Sequence, residues 1–196
     1  MDSQQQPIHI IYLHGFKSNS AAIKAGQLRQ FCQAYRHIHV HVPDLNAPPQ
    51  QVWSMLCQLV QGLPNVCLVG SSLGGFYATQ LVAKFSCPTV LINPAMRPWR
   101  LFKQVLKVTL PYAVTPTWSI DQAQLFDLQA LADDSAQQSN KILLLLQQGD
   151  EVLDYREAQR YYKGALLMLE SGGSHAMVNF EQKLPMLLQF LSDSIH

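Results

Sequence analysis

Three side chains in this sequence have the types and the order needed for nucleophilic acyl transfer: a serine, a carboxylate and a histidine. Ser72 stands at the centre of Gly70-Ser71-Ser72-Leu73-Gly74, a G-x-S-x-G pattern. Strand-type residues Val66-Cys67-Leu68-Val69 precede it and helix-type residues follow from Phe76. That context predicts a strand-turn-helix elbow that lifts one hydroxyl out of a sheet edge. The helix starts so close to the strand end that side chains at Gly70 or Gly74 would collide, and the serine's own backbone carries the strain. Ser71 occupies the x position and is given a structural role.

A serine hydroxyl is a weak nucleophile at neutral pH. It needs a base within hydrogen-bond reach, and the base needs a third group to fix its tautomer. Asp150 follows the apolar run Lys141 to Leu146 through Gln147-Gln148-Gly149. Its rival, Asp154, opens Asp154-Tyr155-Arg156-Glu157, a D-x-x-E capping box, and is therefore occupied as a helix cap. His175 lies in Ser171-Gly172-Gly173-Ser174-His175, just past the run Leu166 to Glu170. Singly, each has a plainer reading: Gly149-Asp150 is a common turn pair, and a histidine in a glycine-rich loop is an ordinary surface residue. Together, each after a predicted parallel strand and in the order Ser, Asp, His, they fit one edge of one sheet.

Such chemistry also needs donors for a developing oxyanion. Leu73 opens the helix, where its N–H has no intrahelical acceptor and points toward an anion held near Ser72. Phe16, in His14-Gly15-Phe16 after the first strand, is the second main-chain donor, with Gly15 letting the backbone approach. His14 is a rival base, and its place beside this loop assigns it to substrate contact.

The elements that must position these groups alternate in period. Ile8 to Leu13 reads as a strand buried on both faces. Ser18 or Ser20 can cap a helix reaching Tyr35, with a stripe of Ile23, Leu28, Phe31 and Tyr35. Arg36 to Val42 alternates, with His37, His39 and His41 on one face. The spread is long for one metal ion and no carboxylate lies between them, so a half-exposed edge strand is the better reading. A helix from Gln50 to Gln61, the elbow strand, a helix to Phe85 and a strand from Cys87 to Ile92 follow. From about residue 94 to 138 the period breaks. A segment of that length at the strand ends is expected to cover the site as a lid, with Leu101, Phe102, Val105, Leu106, Val108 and Leu110 on its underside. A crossover helix packed on the sheet is the alternative. The period resumes with the strand before Asp150, a helix from Tyr155, the strand before His175 and a final helix burying Leu184, Leu187, Leu188 and Leu191.

Composition narrows the function. The 14 basic and 13 acidic residues leave no excess charge to attract nucleic acid or an anionic membrane. No basic start with an apolar run opens the chain and no apolar run reaches spanning length, so a cytoplasmic protein without membrane insertion is expected. Cys32, Cys57, Cys67 and Cys87 have no C-x-x-C spacing and read as reduced packing residues. No metal or cofactor is expected, and the partner is a small molecule.

Several segments carry a family resemblance: His14-Gly15-Phe16-Lys17-Ser18, Val69 to Thr79, Asn93-Pro94-Ala95-Met96-Arg97-Pro98, Gly149 to Arg156 and Gly172 to Ala176. Together they resemble the small bacterial YqiA-like esterases along nearly the whole chain. The resemblance implies an α/β-hydrolase acting on acyl esters or thioesters, with the nucleophile on Ser72, the acid on Asp150 and the base on His175. Arg97 is either an anion contact for a charged substrate head or an ion pair that holds the lid.

The expectation is one α/β-hydrolase domain over residues 1–196. A mostly parallel sheet of about six strands is flanked by helices, with a lid-like insertion after the fourth strand. The expected reaction is ester or thioester hydrolysis through an acyl-enzyme on Ser72. A lyase or acyl transferase using the same three residues, or a non-catalytic binding module on the same scaffold, are the alternatives.

Overall fold

The computed structural model describes residues 6–102, 107–132 and 139–195. Six strands form the main sheet: β1 (Ile8–Leu13), β2 (Ile38–His41), β3 (Val66–Ser71), β4 (Thr89–Ile92), β7 (Ile142–Gln147) and β8 (Leu166–Glu170). Their spatial order is β2-β1-β3-β4-β7-β8, and every neighbouring pair is parallel.

The inner strands are buried on both faces because helices cover both. Ile8, Ile10 and Tyr12 of β1, with Val69, Val90 and Leu145, pack against α1 (Ile23–Cys32) and α7 (Leu184–Asp193). Ile11, Leu13, Leu68, Leu91 and Leu144 point the other way, toward α2 (Pro49–Gln61), α3 (Leu73–Phe85) and α6 (Tyr155–Tyr161). Period-two alternation along each strand thus fills two cores at once. The order also reverses at β1: the chain steps outward to β2, then crosses back to β3. A crevice opens at such a switch point, beyond the carboxyl ends of the two strands whose connections diverge. Gly15 and Ser72 stand on its two sides.

The insertion contains a single helical turn, α4 (Pro98–Arg100), a two-stranded antiparallel hairpin of β5 (Tyr112–Thr115) and β6 (Trp118–Ile120), and α5 (Gln122–Leu131). Asp121 caps α5, accepting from the Gln124 N–H at 2.9 Å, and Leu125 and Leu128 are buried in the α2/α3 core. The insertion therefore shares both expected characters. Its C-terminal half is a packed layer, while Leu101 lines the crevice. Phe102 is buried edge-to-face on Phe16 at 4.6 Å, and Val108 and Leu110 are half-buried. Val105 and Leu106 lie outside the described residues.

Two local expectations change. The first helix begins at Ile23, and neither Ser18 nor Ser20 caps it. Its buried stripe is Ala25, Leu28 and Cys32, while Ile23 is 81% exposed. The histidine-bearing β2 is an edge strand as expected, but His9 of β1 joins His39 and His41. His9 stacks on both rings, and its Nδ1 lies 2.9 Å from His41 Nε2. Burial, then the neighbouring imidazoles, push the pKa values of His9 and His41 down. Among the described residues, no group of three or more His, Cys, Asp or Glu is arranged to hold a metal ion. No helix among them is long and apolar enough to cross a membrane.

Candidate active site

Ser72 sits between β3 and α3 with φ 53° and ψ −118°, a left-handed conformation that a residue with a Cβ adopts only when its surroundings force it. The surroundings are the glycines. A Cβ on Gly70 would lie 2.6 Å from the Gly74 carbonyl oxygen, and one on Gly74 only 2.0 Å from that of Leu13. Gly75 is a third, since its Cβ would meet Pro94 at 2.7 Å. The turn closes with the Ser72 carbonyl accepting from the N–H groups of Gly75 and Ala95, at 2.9 and 3.0 Å.

The structure brings Ser72, Asp150 and His175 into one hydrogen-bonded line. Ser72 Oγ is 2.9 Å from His175 Nε2, and His175 Nδ1 is 2.8 Å from Asp150 Oδ2. A carboxylate here accepts only, so the Nδ1–H donates to it and Nε2 is left with its lone pair toward the serine O–H. Asp150 is held in turn: its Oδ1 accepts from the N–H groups of Val152 and Leu153 at 2.9 and 2.8 Å, and its side chain is only 2% exposed. Asp154, the rejected rival, caps α6 through the Arg156 N–H. Ser72 and His175 open into a cleft of about 770 Å³, walled by Gly15, Phe16, Leu101 and Met177 among others.

The loop carrying His175 is pinned by residues whose part sequence reasoning missed. Asn93, at the end of β4, donates through Nδ2 to the carbonyls of Ser174 and His175 at 3.1 and 3.2 Å, and accepts from the Gln147 N–H at 3.1 Å. Gln147 Oε1 accepts from the Ser174 N–H, and Glu151 accepts from the His175 N–H. The one available signal was a polar residue at the end of each of two largely apolar runs. Such a group, once buried, must be hydrogen-bonded to something.

The surroundings of His14 and Arg97 place both away from the cleft, and for Arg97 they match the ion-pair reading of the two left open. His14 is 1% exposed, with Nδ1 donating to the Gly15 carbonyl and Nε2 accepting from the Leu45 N–H. Both ring nitrogens are occupied by backbone, so it braces the loop from behind and does not line the cleft. Arg97 pairs with Glu157 of α6 at 3.1 Å, tying the start of the insertion to the body, and it too is absent from the cleft wall.

Sequence comparison adds the affiliation. Residues 9–192 match the family described as "Uncharacterised protein family (UPF0227)". The chain belongs to the UPF0227 family. This UPF0227 protein is also similar to solved structures with low sequence identity. Est1E from Butyrivibrio proteoclasticus is 14% identical with a TM-score of 0.74, covering 99% of this chain and 90% of its own. Alpha/beta hydrolase domain-containing protein 10 from mouse is 16% identical with a TM-score of 0.73, covering 96% and 90%. An esterase, EaEST, from Exiguobacterium antarcticum is 12% identical with a TM-score of 0.62, covering 95% and 92%. The UPF0227 chain thus has the α/β-hydrolase fold, with the six-stranded sheet expected of it.

Behind the histidine loop, Glu170 at the end of β8 accepts from Lys183, Gln147 and Asn179. The Lys183 ammonium first, and then Gln147, hold its carboxyl below the ordinary value of 4.5 against a smaller opposing effect of burial. A carboxylate whose folded pKa is depressed contributes stability that is complete above its unfolded value and lost as pH falls through the folded one. Melting temperature is therefore expected to fall as the UPF0227 protein is acidified below about pH 4.5. Glu170→Gln should lower the melting point near neutrality and narrow its difference from the parent in acid. A constant difference across that range would remove Glu170 from the linkage.

Proposed function

We propose that this protein is a serine hydrolase that cleaves carboxylic esters through an acyl-enzyme on Ser72. The observation that carries the reading is the unbroken line Ser72 Oγ, His175 Nε2, His175 Nδ1, Asp150 Oδ2, with both links under 3 Å. The esterase names of similarly folded proteins from Exiguobacterium antarcticum and Rhodothermus marinus add weight at the level of reaction class.

Each group then has a task set by its surroundings. As Ser72 Oγ attacks the ester carbonyl, its proton passes to His175 Nε2, and Asp150 stabilises the imidazolium and keeps the ring in register. The carbonyl oxygen gains charge between the main-chain N–H groups of Leu73 and Phe16. Removing one such donor costs about 3 kcal/mol of barrier in comparable sites. His175 returns the proton to the departing alcohol, and a water activated by the same nitrogen releases the acid. Thioesters fit the same steps, with a thiol departing in place of the alcohol. The strained elbow serves the attack by holding the hydroxyl at the cleft floor without a search of backbone conformations.

A fluorophosphonate probe tests the reading directly. Intact-mass and peptide analysis should find one adduct, on Ser72, and none after His175→Ala. A label on another residue, or no label on folded protein, overturns the assignment. Product analysis with an added alcohol separates hydrolysis from acyl transfer.

A further inference from the structure

The cleft holds two ammonium groups and, among the described residues, no carboxylate in its wall. Lys17 is engaged with the insertion: its Nζ donates to Tyr112 Oη at 2.8 Å and lies 4.7 Å from the centre of that ring. Lys24, on the first turn of α1, is different. Its Nζ donates to the carbonyl of Ala176 at 2.6 Å, and Ala176 is the residue next to the base. An ammonium has three donors and one is so used.

Among the described residues no carboxylate lies within ion-pair distance of Lys24. Asp150 sits behind the imidazole, and Glu151 is turned to the His175 main chain. Burial alone pushes the Lys24 pKa below its ordinary value. A half-buried cation held at the edge of a substrate-sized cleft, with no compensating charge, is the arrangement of an anion subsite.

The side of the reaction it serves follows from proton transfer. His175 Nε2 must deliver its proton to the leaving atom, so the leaving group lies on the histidine side of the tetrahedral carbon, and the oxyanion faces Phe16 and Leu73. We infer that Lys24 is a specificity-determining residue that binds an anion, carboxylate or phosphate, carried on the leaving group of the ester. The inference rests on the serine-esterase reading and adds the substrate class to it.

A matched set of esters tests it: 3-acetoxybenzoate, its neutral methyl ester, and 3-acetoxyphenyl phosphate, each rate divided by its uncatalysed rate. At low salt the enzyme should favour at least one anionic ester over the neutral one by about tenfold or more in kcat/KM. The preference should shrink as salt is added. Lys24→Gln should bring the ratio close to one, whatever it does to turnover of both esters through the Ala176 contact, and Lys24→Arg should restore it. The two anionic esters tell carboxylate from phosphate.

Equal rates for charged and neutral esters, or a ratio unmoved by Lys24→Gln in protein that melts normally, overturn the subsite while leaving the esterase reading intact. Should no ester be turned over, the esterase reading falls by itself. Calorimetry with 3-hydroxybenzoate and phenyl phosphate then decides the subsite: binding abolished by Lys24→Gln keeps it, and absent or Lys24-independent binding removes it.

Discussion

Ser72→Ala is expected to lower kcat for a simple aryl ester by about 10⁴-fold or more. The Oγ is the only atom removed, and it is the one placed 2.9 Å from His175 Nε2. In the proposed mechanism the serine and the histidine act as one unit, so His175→Ala should cost a similar factor, and the double variant little more than either alone. Stability should hardly move, since alanine meets the same backbone demand at φ 53° that serine does. Ser72→Gly has no Cβ to strain and should melt above Ser72→Ala while remaining inactive. Turnover of Ser72→Ala within tenfold of the parent, or full additivity in the double variant, would take the nucleophile's role away from this residue.

The largest loss of stability is expected from one methyl group at Gly74. A Cβ there would stand 2.0 Å from the Leu13 carbonyl oxygen and 2.7 Å from that of His14. Both are backbone atoms, one within β1 and the other at its end, so neither can rotate away as a side-chain tip would. To make room, α3 must lift off the sheet beside the strand it packs on. Destabilisation of about 3 kcal/mol or more is the expected scale for an overpacked, immovable site, a large share of the roughly 5–15 kcal/mol that holds a native domain together. Gly26→Ala is the counterpart. That position lies inside α1 with nothing within 4 Å of the added Cβ, so the variant should gain up to about 1 kcal/mol from helix propensity. Chemical denaturation of both proteins gives the comparison. Near-parental stability in Gly74→Ala would mean that the elbow does not need its glycine.

The elements were legible wherever the cause is local. The elbow's motif is complete within nine residues, although the oxygen that excludes a Cβ at Gly74 belongs to Leu13, and Asp150 was told from Asp154 by capping chemistry alone. The two-faced burial of the strands shows in their unbroken apolar runs. What escaped was direction. The position of His14 beside the Gly15 loop was correct, but adjacency along a chain does not say which way a ring points, and this one turns into the protein. Arg97 had two open readings, and Glu157, sixty residues later, is its partner. The helix stripe was misassigned because Ile23 suggests burial by type, while the smaller Ala25 and Cys32 are the residues that meet the sheet. Asn93 and Gln147 were invisible for a related reason. Apart from each other, their partners come from the end of β8 and the segment after it, and no periodicity encodes such a meeting.

The strand order places the three groups of the proposed mechanism unequally. Ser72 follows β3, in the fully buried middle of the sheet, whereas His175 follows β8, whose outer side has no neighbouring strand among the described residues and whose Leu166 is 59% exposed. Fraying begins at margins, where few contacts resist it. Were β8 to peel back, the proposed base would depart while Ser72 and most of the protein stayed in place. Warming would then silence the proposed activity reversibly before the protein unfolds, and any partner chain that added a strand along β8 would extend its working temperature without touching the cleft.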